Sequence, residues 1–443
     1  MLSRASRQAA ERTRTDHESL GLLVVAGAVG ALIAAIITVA SSGDDAQHLA
    51  SLNAARAGAT ASTPVASTST GRQPTSARNA DPAPPRTARG PGNTRPRQIS
   101  VVLTGDILLH NTIWDQARRD AAASGRAGFD FRPILGGVRA VVSGADLAIC
   151  HLETPLAAAG GPYTGYPRFS VPPQITRALA WTGYDGCTTA SNHTLDAGEA
   201  GVRRTLAALD DAKLVHTGSA RTAAESHRPM WLKAGDSQPV RIAVLAYTQM
   251  LNGLTPPRGK SWVVNTIDPE AILLDAKRAR KAGADLVLVA LHWGIEYQHQ
   301  PTLDQRRIAR RLLASPDVDL VYGHHAHVVQ PFGKIGGKWV AYGLGNCVAD
   351  QRGLPPGTRE GVLARFTFIE RPGGGWISRA EYLPTYITTG KSFRVVDLNK
   401  ALADRKITST ARAVYRRAWR DVTQAVSSTG ALKAGLHAIE RGD

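Results

Sequence analysis

From residue 99 onward, short apolar runs alternate with stretches of helical periodicity. The apolar runs have the length of buried β-strands, and they cover residues 99–103, 146–150, 187–190, 241–247, 285–291 and 319–322. Helix-like stretches lie between several of them, at residues 202–209, 269–281 and 303–314. Alternating strands and helices predict an α/β domain, and we find no internal repeat.

The first hundred residues have a different pattern. Residues 20–40 are 21 consecutive residues without a charged side chain, enough for a helix to cross the ~30 Å hydrocarbon core of a bilayer. Four arginines precede this run, at positions 4, 7, 12 and 14. The positive-inside rule therefore predicts a signal-anchor helix, with residues 1–19 in the cytoplasm and the chain after Ala40 exported. A cleaved signal peptide is the alternative, although its apolar region usually has only about 7–15 residues.

Two further segments differ in composition from the predicted α/β domain. Residues 41–98 contain only three large apolar residues, so we expect a disordered Ala/Pro/Ser/Thr-rich linker with a reach of about 40 Å. Residues 391–443 are predicted to be a basic C-terminal helical extension, with one helix over 401–425. That helix either packs on its own domain or docks on an anionic membrane or polymer.

Composition and charge narrow the class of protein. The chain has 443 residues, of which 43% are hydrophobic, and this excludes a mini-protein, a collagen, a coiled coil and wholesale disorder. Lys and Arg outnumber Asp and Glu by 53 to 36, a net charge of +17, which favours a polyanionic partner. The three cysteines are too few for a disulfide framework and lack zinc-site spacing. A metal would therefore have to bind to His, Asn and carboxylate side chains.

Polar residues follow the apolar runs directly, which places them on loops at the carboxyl ends of the strands, where α/β domains gather their sites. They are Asp106, Glu153, Asn192, His193, His292, His324, His325 and His327. A single Asp or Asn at such a position usually caps a turn or a helix. Three histidines within four positions are harder to explain by structure alone. Together, these residue types predict a site for two divalent ions (Mn, Fe or Zn) that activate a bridging water.

Six segments in chain order resemble the signature of the CapA family, the poly-γ-glutamate capsule biosynthesis proteins. The segments are Gly105-Asp106, 152–156 (LETPL), 191–198 (SNHTLDAG), 292–297 (HWGIEY), 323–331 (GHHAHVVQP) and 342–346 (YGLGN). The resemblance covers about residues 99–390, and the family is similar in fold to calcineurin-like metallophosphoesterases. It implies a four-layer β-sandwich flanked by helices, with the metal site on loops at one end.

The resemblance also implies roles for individual residues. The metal ligands would be Asp106, Glu153, Asn192, His292, His325 and His327, with Glu153 at the position of a bridging carboxylate. The catalytic residues would be His193, His292 and Glu296. The His324–His327 segment allows two registers against the Gly-His-x-His pattern of the family.

The chain departs from the family pattern at three positions. The expected Asp-x-His is absent after Asp106, so one ligand is missing or is supplied by His110. His151 stands where the family usually has Asn, and Cys347 replaces an aromatic residue. Because Cys150 and Cys347 belong to neighbouring motifs, they are a candidate disulfide pair in an oxidising compartment.

The function implied by the resemblance is biosynthesis or export of poly-γ-glutamate or a related anionic polymer, by a membrane-anchored extracytoplasmic protein with a hydrolase-type metal site. The expected partners are the polymer, the membrane, and ligase and export subunits; nucleic acid is not among them. An extracytoplasmic metal-dependent phosphoesterase and a noncatalytic polymer-binding subunit are the alternatives.

Overall fold

The computed structural model describes residues 96–235 and 238–440. The predicted cytoplasmic segment 1–19, the predicted membrane helix 20–40 and nearly all of the predicted linker 41–98 lie outside the described residues. Within the described ranges, no helix has both the length and the hydropathy needed to cross a membrane.

The described residues contain two mixed β-sheets. The strands are β1 (Gln98–Ile107), β2 (Leu147–Leu152), β3 (Gly186–Thr188), β4 (Val215–Thr217), β5 (Met230–Ala234), β6 (Val240–Thr248), β7 (Leu286–His292), β8 (Leu320–His324), β9 (Phe332–Ile335), β10 (Lys338–Ala341), β11 (Asn346–Val348), β12 (Glu360–Glu370), β13 (Trp376–Ile387), β14 (Val395–Asp397) and β15 (Leu436–Ala438). Each predicted apolar run falls on a strand, from β1 to β8.

Helices flank both sheets. They are α1 (Asn111–Ala123), α2 (Arg132–Leu135), α3 (Arg139–Ser143), α4 (Ile175–Thr182), α5 (Gly198–Asp211), α6 (Ala223–Ser226), α7 (Pro269–Lys281), α8 (Leu303–Leu313), α9 (Leu398–Ala403) and α10 (Ser409–Ser427), with short 3-10 turns at Gly136–Val138 and Ser261–Val263. The prediction of an α/β fold with helix-flanked sheets is confirmed.

The first sheet has the strand order β14-β13-β12-β1-β2-β3-β4, with β11 beside β1 and β15 beside β13. Its strands β1 to β4 are parallel to one another, and β11 and β15 pair in parallel with β1 and β13. The pairs β1–β12, β12–β13 and β13–β14 are antiparallel. The second sheet has the order β5-β6-β7-β8-β10-β9, and β6, β7 and β8 are parallel. Each sheet therefore has a set of parallel strands whose carboxyl ends lie at one edge.

Alternation along the strands builds the core. On β6, Ile242 and Val244 belong to the large core shared with residues of the first sheet, such as Val101. Their neighbours Ala243 and Leu245 belong to a second core, which includes apolar residues of α7 and α8. Because successive side chains of a strand point to opposite faces, the second sheet is covered on both sides. This burial explains its nearly continuous apolar sequence.

The disulfide in the structure joins Cys150 and Cys187, so the candidate pair Cys150–Cys347 is wrong. Cys150 on β2 lies directly opposite Cys187 on the adjacent parallel strand β3, with 4.5 Å between their Cα atoms, a separation within the range for disulfides. Cys347 is a buried free thiol, and burial raises its pKa to about 12.

The C-terminal segment also differs from the prediction, because the single helix expected over 401–425 is two helices, α9 and α10. The backbone between them turns at Asp404, whose side chain accepts a hydrogen bond from the Lys406 N–H. Thr408 then caps α10 by accepting from the Ala411 N–H. One face of α10 packs on its own domain, and its buried residues include Val422 and Val426. Residues of the same segment form β14 and β15, which pair with β13.

Candidate metal centre

The predicted ligands at the strand ends lie in register with one another. In the first sheet, Asp106 of β1 is paired with His151 of β2, and His151 is paired with Thr188 of β3. In the second sheet, His292 of β7 is paired with His324 of β8. Pairing across parallel strands thus places polar side chains side by side at the carboxyl edge of each sheet.

The two edges meet through direct contacts between these side chains. Asp106 Oδ1 accepts a hydrogen bond from His324 Nδ1 at 2.9 Å, and His151 Nε2 lies 3.0 Å from His292 Nδ1. The rings of His151 and His324 also stack, with centroids 4.1 Å apart. Residues separated by more than a hundred positions in the sequence therefore form one buried cluster.

Two groups within this cluster have ligand atoms close enough to hold a metal ion. They are Asp106, His151 and His324, and Asp106, Glu153 and His327, with the ligand atoms of each group within 4.8 Å of one another. Asp106 belongs to both groups. Its two carboxylate oxygens are thus placed between two sets of candidate ligands.

Glycines before two of the ligands permit close approach of the backbone. A Cβ atom on Gly105 would lie 2.0 Å from the Gly345 carbonyl oxygen. A Cβ atom on Gly323 would lie 1.9 Å from the Tyr342 carbonyl oxygen. No side chain fits at either position, so the Gly-Asp and Gly-His pairs follow from the spacing of the backbone as well as from the chemistry of the site.

The loop after β8 holds its histidines in an uncommon backbone conformation. His325 and His327 have φ angles of 88° and 56°, in the left-handed region that costs free energy for non-glycine residues. Hydrogen bonds fix this loop: the His325 N–H donates to Asp106 Oδ2 at 3.1 Å, and His327 Nδ1 lies 3.0 Å from Asn346 Oδ1. Asn346 Nδ2 in turn donates to the Thr358 carbonyl oxygen.

The electrostatics of the cluster favour a positive charge. Burial alone would raise the pKa of Asp106, but hydrogen bonds from His324 and His327 outweigh it and hold that pKa well below its usual value. Burial lowers the pKa of His327, yet the nearby Glu153 and Asp106 carboxylates raise it to about 9. Burial lowers the pKa values of His151 and His292. Those two imidazoles are therefore neutral, as ligands must be.

Several buried polar atoms of the cluster have no hydrogen-bond partner among the described residues. They are both carboxylate oxygens of Glu153, His324 Nε2 and His325 Nδ1. An unpaired buried carboxylate is costly, and burial raises the pKa of Glu153 well above its usual value. A divalent cation would satisfy these atoms, all of which are ligand types for transition ions. The residues present therefore fit a metal.

A cleft of about 590 Å³ adjoins the cluster, and its lining includes His327, Asn192 and His193. Asn192 Oδ1 lies 2.8 Å from His292 Nε2, which connects the cleft wall to the cluster. His193 Nδ1 lies 2.7 Å from Asp196 Oδ2. A carboxylate at this distance favours the tautomer with the proton on Nδ1, in which the lone pair is on Nε2.

The structure brings most of the predicted site residues together. Asp106, Glu153, Asn192, His292 and His327 contact one another in the cluster. His325 adjoins it, with its ring 4.7 Å from that of His292, but it belongs to neither three-residue group. The predicted catalytic residues His193 and Glu296 line the cleft.

Other residues contribute beyond the ligand set that the resemblance implies: His324 is the alternative that the two registers left open, and His151 has no predicted ligand role. His151 and His324 belong to a three-residue group with Asp106, whereas His110, the proposed replacement ligand, lines the cleft and accepts a hydrogen bond from the Asp350 N–H. Asn346 and Asp196 orient His327 and His193. Both belong to the motifs on which the resemblance rests, and neither has a predicted role. A search for polar partners of each candidate histidine could have found them.

The fold and the site define an α/β protein of two mixed sheets with a buried cluster of histidines and carboxylates whose residue types fit a divalent metal. Residues 100–351 match the family described as "Bacterial capsule synthesis protein PGA_cap". The chain belongs to that family, and the predicted resemblance is confirmed.

Known proteins show similarity over part of the chain. The capsule biosynthesis protein CapA of Bacillus anthracis is 29% identical over 182 residues, 40% of this chain and 43% of that protein. The PGA biosynthesis protein CapA of Bacillus subtilis (strain 168) is 31% identical over 187 residues, 42% of this chain and 47% of that protein. The chain therefore matches less than half the length of each of these two proteins.

The chain also matches solved structures at low sequence identity. The calcineurin-like phosphoesterase YfkN of Bacillus subtilis is 12% identical, with coverage of 74% of this chain and 98% of that chain and a TM-score of 0.38. A 5'-nucleotidase precursor of Thermus thermophilus is also 12% identical, with coverage of 74% and 59% and a TM-score of 0.39.

Proposed function

We propose that this protein acts in the synthesis or export of poly-γ-glutamate or a related anionic cell-surface polymer, through a hydrolase-type site for two divalent metal ions (Mn, Fe or Zn). The proposal includes a membrane anchor at residues 20–40 and an extracytoplasmic folded domain. The family and the CapA relatives support this choice of polymer and process.

The observation that carries the proposal is the pair of ligand groups that share Asp106. A carboxylate common to two groups is the arrangement that two-metal hydrolytic sites use to hold their ions close together. His151 and His324 would serve one ion, and Glu153 and His327 the other. When bound, the ions would supply a water of lowered pKa and polarise the bond to be broken.

The residues of the chain have separate tasks in this proposal. His193, oriented by Asp196, would exchange a proton with the leaving group through Nε2. Arg168 lines the cleft, and its side chain has no hydrogen bond or ion pair with any residue that the structure describes. A guanidinium in this position can bind a carboxylate of an acidic chain and orient that chain beside the candidate metal centre.

The net charge supports an anionic polymer as the partner, and the disulfide supports an extracytoplasmic location. The net charge of +17 attracts a polyanion, and the attraction weakens as salt is added. Disulfides such as Cys150–Cys187 persist mainly in oxidising compartments, which agrees with an exported domain.

The test uses the purified full chain, stripped of metal and then supplied with Mn, Fe or Zn. We expect bound metal by elemental analysis and shortening of poly-γ-glutamate by size-exclusion chromatography. Asp106→Asn should lower metal content and reduce cleavage by at least about 100-fold, because it removes the ligand common to both groups. Asp304→Asn, a matched change at an exposed carboxylate of α8, should affect neither.

Other outcomes would replace the proposal. A folded full chain that binds no metal under these conditions would remove the hydrolase site and favour a noncatalytic polymer-binding subunit. Rapid hydrolysis of a small phosphodiester with no effect on poly-γ-glutamate would identify a phosphoesterase instead.

A further inference from the structure

A second hollow, outside the candidate metal centre, carries a concentration of arginines. It has a volume of about 390 Å³ and is formed by α4, the end of α1 and the segment between α1 and α2. Arg126, Arg132 and Arg177 line it, and among the described residues the only acidic member of its lining is Asp130.

The arginines differ in their pairing. Asp130 accepts hydrogen bonds from Arg126 at 3.0 Å and from Arg132 at 2.6 Å, so one carboxylate serves two guanidinium groups. Arg177 is exposed on α4 and has no hydrogen bond or ion pair with any residue in the described ranges. The three arginines of the hollow are therefore balanced by a single carboxylate. The guanidinium of Arg177 is available to a ligand.

Two aromatic residues of the lining have further arginines over their rings. The Arg118 guanidinium lies 5.1 Å from the ring centroid of Phe129, and the Arg139 guanidinium lies 4.7 Å from that of Trp181. These rings hold the guanidinium groups at the rim of the hollow. A guanidinium already occupies one face of each ring, which reduces the aromatic surface left for the base stacking that single-stranded nucleic acids use.

The hollow also contains an unsatisfied hydrogen-bond acceptor. Gln174 lines it, and the buried Oε1 atom of Gln174 has no partner among the described residues. Gln174 as a whole is only partly buried, so a rotation of its side chain would bring this atom to the hollow, where an amide N–H of a ligand would satisfy it. A phosphodiester or a fatty acid headgroup at neutral pH offers no such donor. Carboxylates for the arginines and amide N–H groups for Gln174 are both present in an acidic polyamide.

The hollow is connected to the cleft through the segment between β2 and α4. Tyr163 packs edge-on against Phe129 with centroids 5.4 Å apart, and Tyr166 and Arg168 of the same segment line the cleft. An extended chain could therefore contact the hollow and the cleft on either side of this segment.

We propose that this hollow is a second binding site, separate from the metal centre, for the carboxylate-bearing polyamide chain on which the protein acts. The identity of the polymer rests on the proposed function. The site would hold one part of the chain while another part occupies the cleft, which raises the effective concentration of the polymer at the cleft.

The test measures the binding of fluorescently labelled poly-γ-glutamate to the metal-free full chain by anisotropy at low salt. The variant Arg126→Gln/Arg177→Gln should bind at least about 10-fold more weakly, because two charge-assisted contacts are lost. The variant Arg307→Gln/Arg310→Gln is the matched control: Arg307 has one exposed Asp304 partner, and Arg310 is exposed on the same helix. Its affinity should stay within about 2-fold of the unchanged protein.

Two comparisons make the assignment specific. Polyacrylate, which has carboxylates but no amides, should bind more weakly than poly-γ-glutamate at equal charge, and polyphosphate should also bind more weakly. Equal or tighter binding of either probe would overturn the assignment to a polyamide. Equal loss in the two double variants would show that only net charge matters and would overturn the site.

The metal centre is tested independently of this hollow. Asp106→Asn should leave binding unchanged in the same assay, since Asp106 does not line the hollow. Loss of cleavage with retained binding would therefore place the defect of Asp106→Asn in the metal centre and would support a separate binding site. Retained cleavage and binding in Arg126→Gln/Arg177→Gln would overturn the second site while leaving the proposed function intact.

Discussion

Asp106 sets the orientation of two histidines as well as offering ligand atoms of its own. Its carboxylate lies 2.9 Å from His324 Nδ1 and 3.2 Å from His327 Nδ1. A proton held on Nδ1 by a carboxylate leaves Nε2 as the ligand atom of the neutral imidazole, and His327, whose pKa is raised to about 9, reaches that form by giving up its second proton. His324 Nε2 is indeed without a partner among the described residues, and His327 Nε2 lies 3.8 Å from Glu153 Oε1. The ligand atoms are therefore oriented by the protein itself.

His193 gives a prediction that separates catalysis from metal binding. His193→Asn keeps a polar side chain of similar size but removes the proton carrier paired with Asp196. We expect unchanged metal content and a fall in polymer cleavage of about 100-fold or more, the usual size of a general acid or base contribution. Elemental analysis and a cleavage assay on the same preparation check both parts.

The matched control is His227→Asn, an exposed histidine outside the lining of the cleft. This variant should change neither the metal content nor the rate of polymer cleavage. Full cleavage activity in His193→Asn would exclude His193 as the proton carrier, and loss of metal in that variant would show a structural role instead.

His110 predicts how stability depends on pH. Burial lowers its pKa from 6.5 to about 4, so between these values the unfolded chain binds more protons than the folded one. Stability from this group is therefore complete above the unfolded pKa and falls as the pH decreases towards 4. The loss between about pH 7 and pH 5 should be on the order of 2 kcal/mol.

The measurement is denaturant unfolding of the metal-free protein at several pH values. His110→Phe keeps a ring against Phe169, whose centroid is 5.4 Å away, but does not titrate. Between pH 7 and pH 5, the free energy of unfolding of His110→Phe should therefore fall by about 2 kcal/mol less than that of the unchanged protein. Parallel pH profiles for the two proteins would contradict the assignment.

At the scale of elements, the close approach of strands at the site depends on glycine. A Cβ on Gly323 of β8 would meet the Tyr342 carbonyl oxygen and, at 2.4 Å, Trp293 Nε1, two atoms that are hydrogen-bonded to each other. Gly323→Ala should therefore lower the free energy of unfolding by about 1–3 kcal/mol or more. It should also weaken metal binding, because His324 follows directly.

Gly136→Ala is the control, because no atom lies within 4 Å of a Cβ at that helical position. It should be neutral or slightly stabilising. Thermal unfolding of the three proteins checks the prediction, and equal melting temperatures for Gly323→Ala and the unchanged protein would contradict it.

The strands and the location of the site were predictable from the sequence for a physical reason. Buried parallel strands are continuous apolar runs, and a polar residue directly after such a run falls at the carboxyl edge. Asp106, His292 and His324 follow this rule. The location of these ligands at the carboxyl edge of each sheet could therefore be predicted without knowing the strand order.

Strand order could not be predicted from the sequence, and neither could contacts between sheets or the helix break in the C-terminal segment. The partner of Cys150 is set by β3 lying beside β2, whereas the sequence offered only the neighbourhood of motifs. The contact of His151 with His292 joins two different sheets, and no local pattern encodes such a pairing. The break between α9 and α10 depends on capping by Thr408, which basic and apolar spacing alone did not reveal.

For the whole molecule, the proposal combines a folded domain that binds an acidic chain with an anchor and a linker. The predicted linker of residues 41–98 has a reach on the order of 40 Å, so an anchored domain could reach a polymer emerging from the same membrane. The excess of positive charge would hold that polymer near the protein.

The topology of this arrangement can be tested on the full chain. Because four arginines precede residues 20–40, we expect the chain after Ala40 to be translocated. Alkaline phosphatase, which is active only outside the cytoplasm, should therefore be active when fused after Asp443, and a reporter active only in the cytoplasm should be silent there. Moving the four arginines to follow residue 40 should reverse both results, since the charge bias sets the orientation. Activity of the cytoplasmic reporter in the unchanged chain would contradict the extracytoplasmic assignment, while the metal centre would remain open to its own test.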